Sequence, residues 1–214
     1  MYIFYDTETT GLVNHKQPAH HPDQPHIVQM GAILTDSQFR EQARLNCVVR
    51  PDGWEVPPSV TETHGISIEE AVEQGIRLAA CDIHGITQDI AMDKGIPLIL
   101  AMGLFNEMCG LADVAVAHNV DFDKKMVECE YHRLEWGFYY PPVSVCTMKS
   151  TTDLCKLPGR FSNYKWPKLQ ELHEFLFGEG FADAHDAMVD IEATIRCYIE
   201  LKKRGHDEWH VVNT

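Results

Sequence analysis

Two acidic residues one position apart, Asp6 and Glu8, follow the apolar run Tyr2-Ile3-Phe4-Tyr5 at the start of a 214-residue chain. Side chains alternate along an extended strand, so both carboxylates face one side and Thr7 points to the other. Like charges so placed repel unless a cation neutralises them, and hard oxygen donors suit magnesium or manganese. A pair of this kind, taken alone, also fits a helix cap or a solvated strand end. Two later segments add to it. The short apolar run VAVA at 114–117 leads into His118-Asn119-Val120-Asp121-Phe122-Asp123. There Asn119 can fix the turn, Phe122 can anchor it, and Asp123 can project from a helix start. In AHDAMVD, His185 and Asp190 are five positions apart, which would put them on different faces of one helix. His185 is therefore expected in the loop before the helix, Asp186 at the cap, and Asp190 in the first turns. Four carboxylates and one imidazole thus stand at strand ends and helix starts.

The elements that must position them alternate between strand and helix. Residues 2–5, 26–35, 44–49 and 114–117 read as strands, and a further apolar stretch runs over 143–148. Helices are predicted over 98–109, which is apolar enough to be buried, over 123–134, after Pro167 up to Gly178, and over 187–203, where the chain's last element ends. Prolines and polar residues mark 13–26 as a loop insertion; its His15, His20, His21 and His26 read as a flexible solvated segment rather than a zinc or nickel site. HGIS at 64–67 and HGIT at 84–87 form a duplicated segment within about 61–96. Ser67 with Glu70 and Thr87 with Asp89 look like helix starts, and His64 and His84 read as residues packed or hydrogen-bonded beside those caps. Trp136, Tyr139 and Tyr140 are expected to pack.

Composition narrows the classes. With 44% hydrophobic and 23% charged residues, the chain is neither disordered nor membrane-embedded, and no apolar run approaches bilayer length. The N-terminus has no secretory pattern, which implies a cytoplasmic protein without a membrane partner. Seven scattered cysteines without a CxxC pair argue against a disulfide framework or structural zinc; they should be reduced and mostly buried. Eighteen Lys and Arg against 32 Asp and Glu give a net charge of −14. Such a chain repels polyanions unless carboxylates are filled by cations.

DTETTGL, HNxxFD and HxxxxD, in this order across nearly the whole chain, resemble the three motifs of the DEDD superfamily of exonucleases, in its histidine-containing branch. That branch includes the polymerase III epsilon subunit, RNase T, oligoribonuclease and exonuclease X. The segment from Cys146 to Gly178 is also similar to the corresponding stretch in exonuclease X and phage-type relatives. The resemblance implies an α/β, RNase H-like fold, a central mixed β-sheet flanked by α-helices, as one exonuclease domain over 1–214. It implies two divalent cations, Mg2+ or Mn2+, held by Asp6, Glu8, Asp123 and Asp190, with His185 as general base. Thr9, Gly11 and Leu12 match positions near the terminal nucleotide, and His118 and Asn119 would support them. An imidazole with an ordinary pKa near ~6.5 suits such a base.

The implied activity is 3′-to-5′ hydrolysis of DNA from free ends, releasing nucleoside monophosphates and favouring single-stranded or frayed termini. The same site on RNA is the nearest rival, because nothing in five catalytic residues reads the 2′ position. A non-catalytic binding or polymerase accessory subunit is the other, and it predicts a damaged constellation; a polymerase or replication assembly is in either case an implied partner. For the nucleic-acid path, residues 149–168 carry Lys149, Lys156, Arg160, Lys165 and Lys168 against Asp153 alone, interleaved with Phe161, Tyr164 and Trp166. This suits phosphate binding, by Arg160 and Lys165 above all, and base stacking. The alternative is a solvated loop whose aromatics pack inward.

Overall fold

The computed structural model describes residues 1–137, 139–159, 163–182 and 186–213. Six strands form one mixed sheet: β1 (Tyr2–Thr9), β2 (Ile27–Thr35), β3 (Glu41–Val48), β4 (Val114–Ala117), β5 (Val143–Cys146) and β6 (Val211–Asn213), in the order β3-β2-β1-β4-β5-β6. The first three pair antiparallel, β1–β4–β5 pair parallel, and β6 returns antiparallel on β5. The helices are α1 (Val60–His64), α2 (Ile68–Glu73), α3 (Ala80–His84), α4 (Gln88–Lys94), α5 (Leu98–Leu111), α6 (Val120–Arg133), α7 (Thr147–Ser150), α8 (Thr152–Cys155), α9 (Leu169–Phe177) and α10 (Ala187–Lys203). This is the expected RNase H-like α/β architecture of a mixed sheet flanked by helices.

Alternation along β1 divides the core. Ile3 and Tyr5 join Met30, Ala32 and Leu34 against α5 and α6 on one face of the sheet. Phe4 joins Ile33, Val116 and Val145 against Met188, Ile191 and Tyr198 of α10 on the other. All nine residues of β2 are buried, as a strand covered on both faces requires. Asp6 and Glu8 continue the α10-facing register of Phe4. Gly31 pairs with Asp6 across the sheet, and a Cβ there would lie 2.7 Å from Ile191 Cδ1 and 3.1 Å from Ala187 Cβ. A glycine inside a strand thus admits the first turn of α10 close to the carboxylate pair.

Several boundaries depart from the sequence reading. β1 runs on through the acidic pair to Thr9, because β2 continues to supply backbone partners beside it. The chain does not end at α10: Val211–Asn213 adds β6 to the exposed edge of β5. The 143–148 stretch divides into β5 and the short α7. Helix α5 buries Ala101, Met102, Phe105, Met108 and Cys109, while Ile99, Leu100, Leu104 and Leu111 are exposed. The loop before β2 is knit rather than loosely solvated. Buried Gln24 donates from Nε2 to the carbonyls of Asn14, Gln17 and Pro18 and accepts from the Asn14 amide, and His26 stacks on Trp54 at 4.4 Å. All seven cysteines are free, six of them buried. Tyr140 is buried and hydrogen-bonded to Tyr5, and Trp136 packs on the core, but Tyr139 is exposed. Among the described residues, no helix is long and apolar enough to cross a membrane.

Candidate active site

The end of β1 and the first turn of α10 meet over the sheet. Asp6, Glu8 and Asp190 each offer a carboxylate oxygen, and these oxygens lie within 4.8 Å of one another. Asp190 reaches them because α10 starts where the sequence places it. Asp186 caps the helix, its Oδ1 accepting from the Met188 and Val189 amides at 2.9 and 3.3 Å, and this sets Asp190 one turn into the helix.

Asp123 approaches from the opposite face of the sheet. Its Oδ1 accepts from the Thr7 amide at 3.0 Å and from the Thr7 hydroxyl at 2.8 Å, so it sits against the peptide joining Asp6 to Thr7. Asn119 starts α6 in the left-handed conformation, with φ 82°, a geometry that asparagine tolerates better than most residues. Asp123 is 2% exposed. Thr7, read from the sequence only as pointing away, is the residue that positions it; the signal was its place between two acids on a strand packed against α6.

The electrostatics are those of an anionic site without enough counter-charge. Burial, and then the charges of Asp123, Glu8, Asp190 and Asp186, push Asp6 well above the usual carboxylate range. Burial, and then Asp190, Asp123 and Asp186, raise Glu8 to about 8. Burial raises Asp123 to about 7 although both Thr7 hydrogen bonds oppose it. A divalent cation is what such a cluster of hard oxygen donors can hold.

Beside the acids opens a cleft of about 410 Å³ lined by Thr7, Glu8, Thr9, Gly11, Leu12, Phe122 and, from α3 and its approach, Arg77, Leu78, Ala80, Ile83 and His84. The Thr9 hydroxyl donates to the Gly11 carbonyl at 2.7 Å, shaping the turn, and Leu12 is 73% exposed at the rim. His84 Nε2 lies 3.2 Å from the Thr9 carbonyl, and His84 Nδ1 accepts from the Ile86 amide at 3.1 Å. Its expected role beside a helix cap is present, and it also braces the cleft wall.

The remaining sequence candidates fare differently. Asn119 lines a second cleft with Leu12, Val13, His15, Asp121, Phe122, Lys149 and Trp166. His118 is an internal brace: Nε2 meets the Pro167 carbonyl at 3.0 Å and Nδ1 the Thr147 hydroxyl at 2.9 Å, and burial lowers it to about 4. The carbonyl can only accept, so Nε2 carries the proton. Lys165 is engaged by Glu171 in an ion pair and lines neither cleft. Trp166 does not pack inward; it is 59% exposed. His185 and Arg160 lie outside the described residues. Within the described residues, the histidines of the 13–26 loop join no metal-ligating group.

Residues 3–77 match the RNase T exonuclease family, a match that stops just short of the second HGI copy. An uncharacterized exonuclease of Escherichia phage 186, CP81, is 28% identical over 210 residues, 95% of this chain and 89% of the phage protein. Among solved structures, Escherichia coli exonuclease I in complex with a dA16 oligonucleotide aligns with a TM-score of 0.66 and 21% identity over 94% of this chain. The chain spans 40% of the length of that exonuclease I. The nuclease domain of 3′hExo, a DEDDh family member bound to rAMP, aligns with a TM-score of 0.67 and 14% identity, covering 100% of this chain and 96% of that domain. At these identities the structural likenesses establish a shared fold.

Proposed function

We propose that this chain, a member of the DEDD exonuclease family, hydrolyses phosphodiester bonds of DNA from free 3′ ends in a reaction that needs divalent metal ions. The single observation that carries the reading is the convergence of Asp6, Glu8 and Asp190, from opposite ends of the chain, within 4.8 Å beside a cleft wide enough for a nucleotide. The donor set fits the metals proposed. Three carboxylates with oxygens within 4.8 Å of one another are costly as anions, and hard oxygens favour Mg2+ or Mn2+ over softer ions. Asp6, Glu8 and Asp190 would hold the ions, with Asp123 joining them through Oδ2 while Thr7 holds its Oδ1. When bound, a pair of such ions makes a water molecule more acidic and stabilises negative charge on the phosphate oxygens.

The protein's own groups do the rest. The Thr9–Leu12 turn holds the terminal nucleotide beside Glu8, where exposed backbone and the Leu12 side chain can contact sugar and base. Thr7 keeps Asp123 oriented, and His84 keeps the Thr9 carbonyl in place. His185 is the proposed general base, taking the proton of the attacking water on an imidazole nitrogen. The cleft accepts one terminal residue at a time, so an unpaired or frayed end is the favoured substrate and a nucleoside monophosphate the product.

RNA is the second reading, favoured by the fold likeness to a nuclease domain bound to rAMP. One assay tests both: 5′-labelled single-stranded DNA, duplex DNA and RNA, each with a free or blocked 3′ end, are incubated with Mg2+ or Mn2+. From free-ended single-stranded DNA a ladder of 5′-labelled strands shortened one nucleotide at a time, lost in Asp6→Asn and with chelator, is expected. Cleavage of closed circles, or equal turnover by Asp6→Asn, would overturn the assignment.

A further inference from the structure

The turn after β1 separates two clefts, and only one of them is lined by a carboxylate of the Asp6, Glu8 and Asp190 cluster. The first, containing Thr7 and Glu8, is described above. The second, about 360 Å³, lies across Leu12 and Phe122, which line both. Its far wall is Trp166. Lys149 Nζ stands 5.6 Å from the centre of the Trp166 ring, within the range of a cation–π contact, and Lys149 is itself tied to Asp121 by an ion pair. The indole is thus held from one side by a fixed cation while 59% of the residue stays open to solvent. Leu12, which is 73% exposed, lines the same cleft. An aromatic ring left in water beside a catalytic cleft, with a cation oriented against it, is a stacking surface awaiting a partner.

We propose that this second cleft is the subsite of the penultimate nucleotide of an unpaired strand, with Trp166 as its stacking platform and the Lys149–Asp121 pair as the support of that platform. The inference rests on the exonuclease reading above. A phosphodiester at Asp6, Glu8 and Asp190 has the terminal nucleotide on the Glu8 side, so the nucleotide before it falls across the Leu12–Phe122 ridge. A base received there leaves the stack of its terminal neighbour, because the ridge stands between the two clefts. A duplex end must open by that much to enter. Recognition by an indole face tolerates any base and selects for single strands. The ion pair leaves Lys149 without surplus charge, so the cleft contributes stacking more than phosphate attraction.

Two substrates separate this from a general role for the loop. The p-nitrophenyl ester of thymidine 5′-monophosphate needs the acidic site and the first cleft but offers no second base. A short oligothymidylate needs both clefts. Trp166→Ala should lower kcat/KM on the oligonucleotide roughly ten-fold, mainly through KM, and leave ester hydrolysis within about two-fold. Trp166→Phe should recover most of the loss. An oligonucleotide abasic at the penultimate position should cost the wild-type protein as much as Trp166→Ala does, and cost Trp166→Ala nothing further. Equal losses on both substrates, no loss on either, or fully additive effects of the variant and the abasic site would overturn the subsite. If the wild-type protein and Asp6→Asn are equally inert on both substrates, the exonuclease reading falls, and this inference with it.

Discussion

The two HGI copies share a helix–glycine–helix form with a left-handed glycine between the helices, yet they differ in their outer caps and occupy different places. In the first, α1 ends at His64 with Gly65 left-handed at φ 68°; in the second, α3 ends at His84 with Gly85 at φ 73°. Ser67 and Thr87 then cap α2 and α4 through their hydroxyls, Ser67 within a capping box with Glu70. The second copy contributes Cys81, Ile86 and Ala91 to a cluster with Val28 and Val56, which docks it on the sheet. His84 thereby meets the Thr9 carbonyl. The first copy contributes nothing to that cluster, and His64 is exposed. Local sequence fixes the helix–glycine–helix shape; burial of Ile86 against the sheet, where Ile66 stays half-exposed, decides which histidine serves the cleft.

The largest effect sets the scale for this comparison. Asp6→Asn should lower kcat on single-stranded DNA by roughly a thousand-fold or more, the size expected when charge stabilisation of the reacting phosphate is lost. Isothermal titration with Mn2+ should show weakened binding, and equal affinity would remove Asp6 from the metal site. Against that scale, His84→Ala should raise KM about ten-fold by freeing the Thr9–Leu12 turn, with His84→Gln restoring part of the loss through its amide donor. His64→Ala should stay within two-fold. If the two histidine variants behave alike, the division between copies is wrong. Backbone strain sharpens the same contrast. Gly65→Ala and Gly85→Ala both force a Cβ into left-handed backbone, at a cost of about 1 kcal/mol each, so thermal melts should fall together while only Gly85→Ala impairs turnover.

Most of the acidic site was legible in the sequence because each acid stands beside a local signal. Asp6 and Glu8 end an apolar strand, Asp123 follows a turn-forming asparagine, and Asp186 marks the start of the helix that carries Asp190. What the sequence did not reveal depends on contacts between distant segments. Gly31 matters through Ala187 and Ile191 on another element. Thr7 matters through Asp123 and His84 through Thr9, and Trp166, already read as a stacking residue, has a support in Lys149 that the sequence does not show. Lys165 read as a phosphate ligand by local charge, but Glu171, six residues on, engages it. β6 is three residues after a polar stretch, too short to show alternation, and only the open edge of β5 makes it a strand.

The smallest expected effect is the one most specific to the cleft. Glu8 has an ordinary carboxyl value of 4.5 and is raised to about 8 in the folded protein, by burial first and then by Asp190, Asp123 and Asp186. Between those two values the folded state holds a proton that the unfolded chain has released. The metal-free protein therefore loses stability as pH rises through that window, and the loss is complete above about 8. Glu8→Gln removes this penalty. The metal-free variant should melt with the wild type near pH 4.5 and several degrees above it at pH 8, since ~1 kcal/mol moves a chain of this size by roughly 2–4 °C. Saturating Mg2+ should close the gap by stabilising the wild type. In the first HGI copy the sign reverses. Glu62 accepts from the Ser59 amide at 2.9 Å in the capping box of α1, so Glu62→Ala should destabilise by roughly 0.5–1 kcal/mol at neutral pH, with or without metal. Opposite signs from removing one carboxylate in each region would show that only the cleft accumulates charge against its own stability, as a cation site must before its ion arrives. A Glu8→Gln melt that falls below the wild type at pH 8 would mean that this carboxylate is already compensated within the protein.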